Sequence, residues 1–394
     1  MSYKYLVDLA LILLSTKVLS LVTKRFKLPQ VVGALIAGLV LGPAVFNVIH
    51  ETDFIRRLAE LGVIVLLFTA GLESNISELK KTGKTSFIVA VLGVITPLIG
   101  GTILAYCFNI GKIENVSVFV QNIFVGSVLT ATSVSITVET LKELGKVSTS
   151  VGNVIIGAAI IDDVLGMLVL TIITSLADSS VSVMVVIVKI LAFFAFCIIV
   201  GYATFKLFNK WVGAYNIDKR RFVIISFVIC LLLAFSAEKF FGVADITGAY
   251  IAGLVLSANK ETPYITKRFD TLSYMLLSPV FFASVGLNVE LPSFDSKLVM
   301  LTIVFIIIAV LTKIIGCGLG AKVCGYTNSE AIQIGSGMVT RGEVTLIIAS
   351  KGLALGLMSS YFLAPVIIMV VFTSIFTPIL LKVVFSREKN NVKC

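Results

Sequence analysis

Apolar residues in this chain come in long runs rather than at the three-and-four spacing of a surface helix, and short polar or Gly/Pro breaks separate the runs. Thirteen runs can be marked, centred near residues 14, 40, 65, 97, 128, 164, 194, 231, 250, 279, 310, 341 and 369. About 20 apolar residues of helix cover a bilayer core of roughly 30 Å, so each run predicts one crossing. The runs near 40, 65, 250 and 279 are short and have the least sharp edges. The first run is expected to be retained: its basic cluster Lys24, Arg25 and Lys27 follows it, and no small-residue cleavage site appears. An odd number of crossings sends the two termini to opposite sides.

The pattern also repeats. Residues 33–41, GALIAGLVL, recur as 248–256, GAYIAGLVL, with eight of nine positions identical at a shift of 215, and at the same shift Ala70-Gly71-Leu72 meets Val285-Gly286-Leu287. That shift carries the second run onto the ninth, and a displacement by an odd number of crossings reverses direction through the membrane. The expected fold is therefore an all-α integral membrane protein of two inverted-topology six-helix repeats, an arrangement found in secondary transporters, whose sites lie at the midplane between the halves. Expected boundaries are 1–177 for the first repeat, 178–215 for a linking crossing, 216–386 for the second repeat and 387–394 for a short tail. No further domain is expected at either end.

Composition agrees. Of the 394 residues 58% are hydrophobic and 14% charged, and the mean hydropathy is +1.06, against about 25% charged in soluble domains. The net charge of +10 does not indicate nucleic acid, because the basic residues sit in short clusters between apolar runs. With the N-terminus outside, twenty-one of the 32 Lys and Arg fall in inward segments and seven in outward ones. That bias places the C-terminus in the cytoplasm of a cell (inner or plasma) membrane. The six cysteines are scattered without a C-x-x-C pair, so neither a disulfide framework nor a metal site is expected, and no cofactor.

The strongest chemical signal is Asp162-Asp163, in the middle of the apolar run from Val151 to Leu176. A carboxylate at that depth costs several kcal/mol by most measures and marks an ion or proton pathway by default. Adjacent residues lie about 100° apart on a helix, so one packing need explains only one of the two. Two interrupted helices are expected at the fifth position of each repeat: Gly126 to Thr137, with Thr130, Thr132 and Ser133, and Gly335 to Glu343, with Arg341. Unwound backbone at this depth is tolerated only beside protein or a wet cavity, and its oxygens suit a small hard cation. Lys313, deep in the eleventh run, is placed to pair with an aspartate or with helix C-terminal carbonyls; the alternative is snorkelling to the interface. Gly316-x-x-x-Gly320 reads as close helix packing.

The run Thr130-Ala-Thr-Ser-Val, Leu141-Lys-Glu-Leu-Gly and Gly157-Ala-Ala-Ile-Ile-Asp-Asp-Val-Leu-Gly resembles the bacterial and archaeal cation:proton antiporter-2 family, sodium/proton exchanger type. The likeness extends to Phe68-Thr-Ala-Gly-Leu-Glu73, Lys313 and Arg341-Gly-Glu343. It implies that Asp163 is the principal ion and proton site and that Asp162 partners Lys313, with Thr132 and Ser133 in the crossing. It makes Glu343 a second acidic position, and it implies a homodimer with a mobile core domain. The transported ions would be Na+ and H+, with no enzymatic reaction.

Three other classes fit the residues less well. An intramembrane aspartyl protease needs its carboxylates on separate helices flanking a peptide bond, which adjacent Asp162 and Asp163 cannot supply. A sodium-coupled symporter of an organic anion calls for a roomier polar cavity and has no need of Lys313. A channel would show selectivity rings, and no counterpart is evident. Bland roles are expected elsewhere: Asp245 as an N-cap, Glu73 and Glu78 as caps or partners of Lys80 and Lys81, Asp8 and Lys17 in packing or at a lipid-facing edge, and His50 in a loop.

Overall fold

The computed structural model describes residues 3–26, 28–74, 76–108, 116–177, 183–214, 219–287, 289 and 296–391, and these are helical with no strand among them. In chain order they form α1 (Lys4–Arg25), α2 (Gln30–Leu41), α3 (Asp53–Glu73) and α4 (Ile76–Phe108). The fifth crossing is two half-helices, α5 (Val118–Val128) and α6 (Val134–Glu143), followed by α7 (Ser150–Ala177) and α8 (Val183–Ala214). Next come α9 (Arg220–Ser236), which runs into a π-helical turn at Ala237–Phe241, and α10 (Asp245–Leu256). Another π turn, Ser273–Leu277, joins α11 (Thr262–Leu272) to α12 (Ser278–Leu287). The chain goes on through α13 (Ser296–Val323), the half-helices α14 (Asn328–Gly337) and α15 (Glu343–Ala354), and α16 (Leu363–Asn391).

Eight of the described helices are long and apolar enough to cross a membrane. They carry apolar residues all round because lipid rather than water meets the outer side. α8 shows this most clearly, turning Leu191, Ile198 and Ile199 outward. Local signals set the ends: the Thr52 hydroxyl accepts the Ile55 N–H at 3.3 Å to start α3, and Thr327 with Glu330 forms a reciprocal capping box on α14.

Four boundaries differ from the pattern reading. Arg56, Arg57 and Glu60 belong to the body of α3, and Lys267 and Arg268 to α11. Polar starts of helices that leave the apolar layer read as loops when only hydropathy is counted. Asp245 is the first helical residue rather than the cap, its carboxylate taking the Ile246 N–H at 2.7 Å while Ala244 occupies the cap position. Past Phe385, α16 continues to Asn391, so the expected tail begins as helix, and residues 392–394 lie outside the described part.

Packing sorts the helices into two groups. α4, α7, α13, α14 and α16 contact one another, and so do α1, α2, α3, α9, α10 and α12. Within the first group, Gly316 and Gly320 let α13 close on α4: a Cβ at Gly316 would sit 2.7 Å from the Leu92 carbonyl oxygen, and one at Gly320 2.9 Å from Val89 Cα. Within the second, a Cβ at Gly38 of α2 would lie 2.0 Å from Ala283 O of α12, and one at Gly286 would lie 2.7 Å from Gly38 C. Shifted by 215 residues, Gly38 and Gly286 correspond to Gly253 and Gly71. Those two also meet, with a Cβ at Gly253 falling 2.1 Å from Phe68 O and 3.0 Å from Gly71 C. The α2–α12 and α3–α10 contacts are thus the same contact made twice.

At one end of the molecule the groups are joined by charge. Glu143, closing α6, accepts the N–H groups of Gln30 and Val31 at 2.7 and 3.1 Å. Lys142 ion-pairs with Glu73 of α3 at 3.5 Å and with Asp270 of α11. Glu73 therefore reaches to Lys142 of α6 rather than over the turn to Lys80 or Lys81 of α4. The side chain of Glu78 lies outside the described part.

Candidate functional site

Between α5 and α6 the chain runs without helix over residues 129–133, and between α14 and α15 over 338–342. The two interruptions touch: the Ser133 N–H donates to Thr340 O at 2.8 Å. The Thr137 hydroxyl donates to Gly337 O at 2.8 Å and lies 3.1 Å from the Thr340 hydroxyl. Thr132 approaches Met338 O at 3.5 Å. A Cβ at Gly342 would fall 2.7 Å from Ser133 Oγ, so only glycine lets the two segments cross here. Four half-helix ends converge at this point, the N-termini of α6 and α15 with positive and the C-termini of α5 and α14 with negative partial charge.

Beside the crossing lies a buried ion pair. Lys313 Nζ of α13 donates to Asp162 Oδ1 of α7 at 2.8 Å, and neither side chain has any exposed surface. The interface makes room through Gly93 of α4, where a Cβ would stand 2.5 Å from Cys317 Sγ, 3.7 Å from Lys313 Nζ and 3.9 Å from Asp162 Oδ1. Arg341 is also fully buried. Its Nη2 donates to Ala309 O at 3.4 Å, and its own backbone is held by Thr373 and Ser374 of α16 at 3.1 Å each. The guanidinium is within electrostatic reach of Asp162 and Lys313. Its Nε and Nη1, and the Oδ2 of Asp162, are buried without a hydrogen-bond partner among the described residues.

The structure thus gathers Asp162, Lys313, Thr132, Ser133 and Arg341. Asp163 follows Asp162 on α7, partly buried and about 100° further round the helix. Thr130 closes α5 locally, its hydroxyl donating to Ser127 O at 2.7 Å. Glu343 is the first residue of α15, and its side chain lies outside the described part. Residues missed in the sequence are Gly93, which carries no signal in an apolar run, and Thr373-Ser374, a polar pair inside an apolar run that was there to be noticed. Glu139 of α6 was missed as well.

Lys17, exposed on α1, has its ammonium 4.2 Å above the Tyr274 ring, and Asp8 is buried. Among the described residues no group of three His, Cys, Asp or Glu could hold a metal ion.

A family model described as "Sodium/hydrogen exchanger, transmembrane" matches residues 10–387. The chain is 35% identical to the Na+/H+-K+ antiporter GerN of Bacillus cereus over 100% of this chain and 99% of that protein. With a Na+/H+ antiporter of Enterococcus hirae it shares 34% identity over 95% and 96% of the two chains. A sodium proton antiporter structure from Methanocaldococcus jannaschii at pH 8 superposes with a TM-score of 0.67 at 18% identity, covering 95% of each chain, and so shares the fold. By full-length sequence similarity and by fold, this chain belongs to the sodium/hydrogen exchanger family.

Proposed function

We propose that this protein exchanges Na+ for H+ across the cell membrane, with the C-terminus in the cytoplasm and the N-terminus outside, as a homodimer. The observation that carries the reading is the Asp162–Lys313 pair, 2.8 Å long and wholly buried, beside two interrupted helices that cross. An ion pair withdrawn from solvent often returns less than its desolvation costs, so one kept at mid-span points to function rather than stability.

In this reading Asp163 holds the transported ion or proton. Lys313 neutralises Asp162, so one negative charge remains for a guest. A carboxylate cannot carry a proton and a metal cation together, and this exclusion supplies the exchange rule. The Thr132 and Ser133 hydroxyls and the free carbonyls of the crossing complete an oxygen shell, with Arg341 and Glu343 in support. The repeats are taken as 1–177 and 216–386, linked by 178–215, and moving the crossing group against the rest would expose Asp163 to each side in turn.

The test is dye-monitored proton movement in everted vesicles on adding Na+, Li+ or K+, with Asp163→Asn beside the wild type. The K+ arm is included because one relative is named for that ion as well. Loss of exchange in the variant, at matched protein level, is the expected result. Exchange at wild-type rate would remove Asp163 from the site.

A further inference from the structure

A cavity of about 530 Å³ lies away from the crossing, between α1, α2, α6 and the α11–α12 helix. Its size is that of small-molecule sites. One side is apolar, built from Leu13, Ala34, Pro279 and Phe282. At its other end stand the carboxylates of Glu139, Glu143 and Asp270.

These three carboxylates are not equivalent. Asp270 is held by Lys142, and Glu143 by the amides of Gln30 and Val31. Glu139 makes no hydrogen bond and no ion pair within 4 Å among the described residues, and Lys142, the cation that acts on it, is committed to Glu73 and Asp270. The cavity therefore has one acid with no direct hydrogen-bond or ion-pair partner among the described residues, on which Lys142, also in the wall, acts only at longer range. Its rim carries Lys17, Tyr274 and Met275, all exposed on the outer surface of membrane helices. The π turn at Ser273–Leu277 forms this part of the wall, and such turns widen a helix locally, often at functional sites. An occupant can therefore arrive sideways from the bilayer.

We propose that this cavity binds an amphiphile with a primary ammonium head, the head on Glu139 and the apolar body along Ala34 and Phe282. Charge selects the head, since three carboxylates against one lysine at that end of the cavity favour a further cation at the acid that has no direct partner. A primary ammonium, with three donors, can reach Glu139 and Glu143 together. The shared chemistry has two sources, a membrane aminophospholipid or a free alkylamine. Because α6 lies on one side of the cavity and α1, α2 and α12 on the other, an occupant would join the two helix groups. The inference uses neither Asp163 nor transport, so it stands apart from the exchange reading.

The test is thermal unfolding of the purified full-length chain in a neutral maltoside detergent, with n-octylammonium against n-octanol, and phosphatidylethanolamine against phosphatidylcholine. n-Octylammonium is expected to raise the unfolding midpoint by ~2 °C or more at saturation, with no rise from n-octanol. Glu139→Gln and the cavity-filling Ala34→Phe should each abolish the response, and Glu139→Asp should keep part of it. A matching rise with phosphatidylethanolamine alone of the two lipids supports the proposal and names the bilayer as the source. A response to the amine without one to either lipid supports it with a free amine as ligand. Equal effects of n-octylammonium and n-octanol, or a wild-type response in both Glu139→Gln and Ala34→Phe, would overturn it.

Discussion

Asp162 and Lys313 hold each other out of water, but the charge count around them is uneven. Two cations, Lys313 and Arg341, sit within reach of one fully buried carboxylate. Breaking a buried pair by removing one partner costs about 3–5 kcal/mol, because the survivor is left uncompensated, while removing both can be neutral. Lys313→Met leaves Asp162 facing Arg341, whose Nε and Nη1 are unused among the described residues. Asp162→Asn leaves two cations and no counter-charge from that position. The asparagine variant is therefore expected to be the less stable of the two, and the double variant to recover only the part of the Asp162→Asn loss that Lys313 causes, since Arg341 stays without that counter-charge. Unfolding midpoints in detergent check this, and the reverse order for the single variants would take Arg341 out of the group.

Among whole helices, close approach at glycine does what hydrophobic burial does in water, since lipid gives helices no apolar reason to associate. Gly38→Ala and Gly253→Ala each drive a methyl to within 2.0–2.1 Å of a carbonyl oxygen on the facing helix, and both should lower folded yield sharply. Gly83→Ala and Gly166→Ala meet nothing within 4 Å. Each should instead leave the fold intact or stabilise it by up to ~1 kcal/mol through helix propensity. Gel-filtration profiles of the four variants separate the two classes. The residues themselves announced much of this level: the 215-residue repeat contained both glycine pairs, and the small polar residues at 126–137 and 335–343 marked the two breaks. Hydropathy could not show which glycine faces which helix. It also misjudged where α3 and α11 begin, because charged residues in the opening turns beyond the apolar layer look like loop. Glu139 was passed over because an acid four residues from the end of a half-helix looks solvated until the cavity beside it is seen.

For the molecule as a whole, the question is what holds the crossing group where it is. α6 belongs to the interrupted crossing, yet its last turn is tied to α2 and α3 of the other group and to α11, which leads into α12. Glu143 caps α2, and Lys142 bridges α3 and α11. These partners lie 69 to 128 residues away in the chain, so no local pattern announces them. If exchange requires the groups to slide past each other, the ties must part in every cycle. A covalent tie at the same place would then stop transport without touching Asp162, Asp163 or Lys313. In the Lys142→Cys, Asp270→Cys double variant, oxidation should abolish Na+-driven proton movement in vesicles, and a reductant should restore it. Each single variant treated alike controls for the chain's own cysteines, of which Cys107 is exposed and Cys197, Cys230 and Cys317 are buried. Fully cross-linked double variant that still exchanges at its unoxidised rate would show that α6 stays docked on α11 throughout, and motion would then have to be sought within the crossing itself.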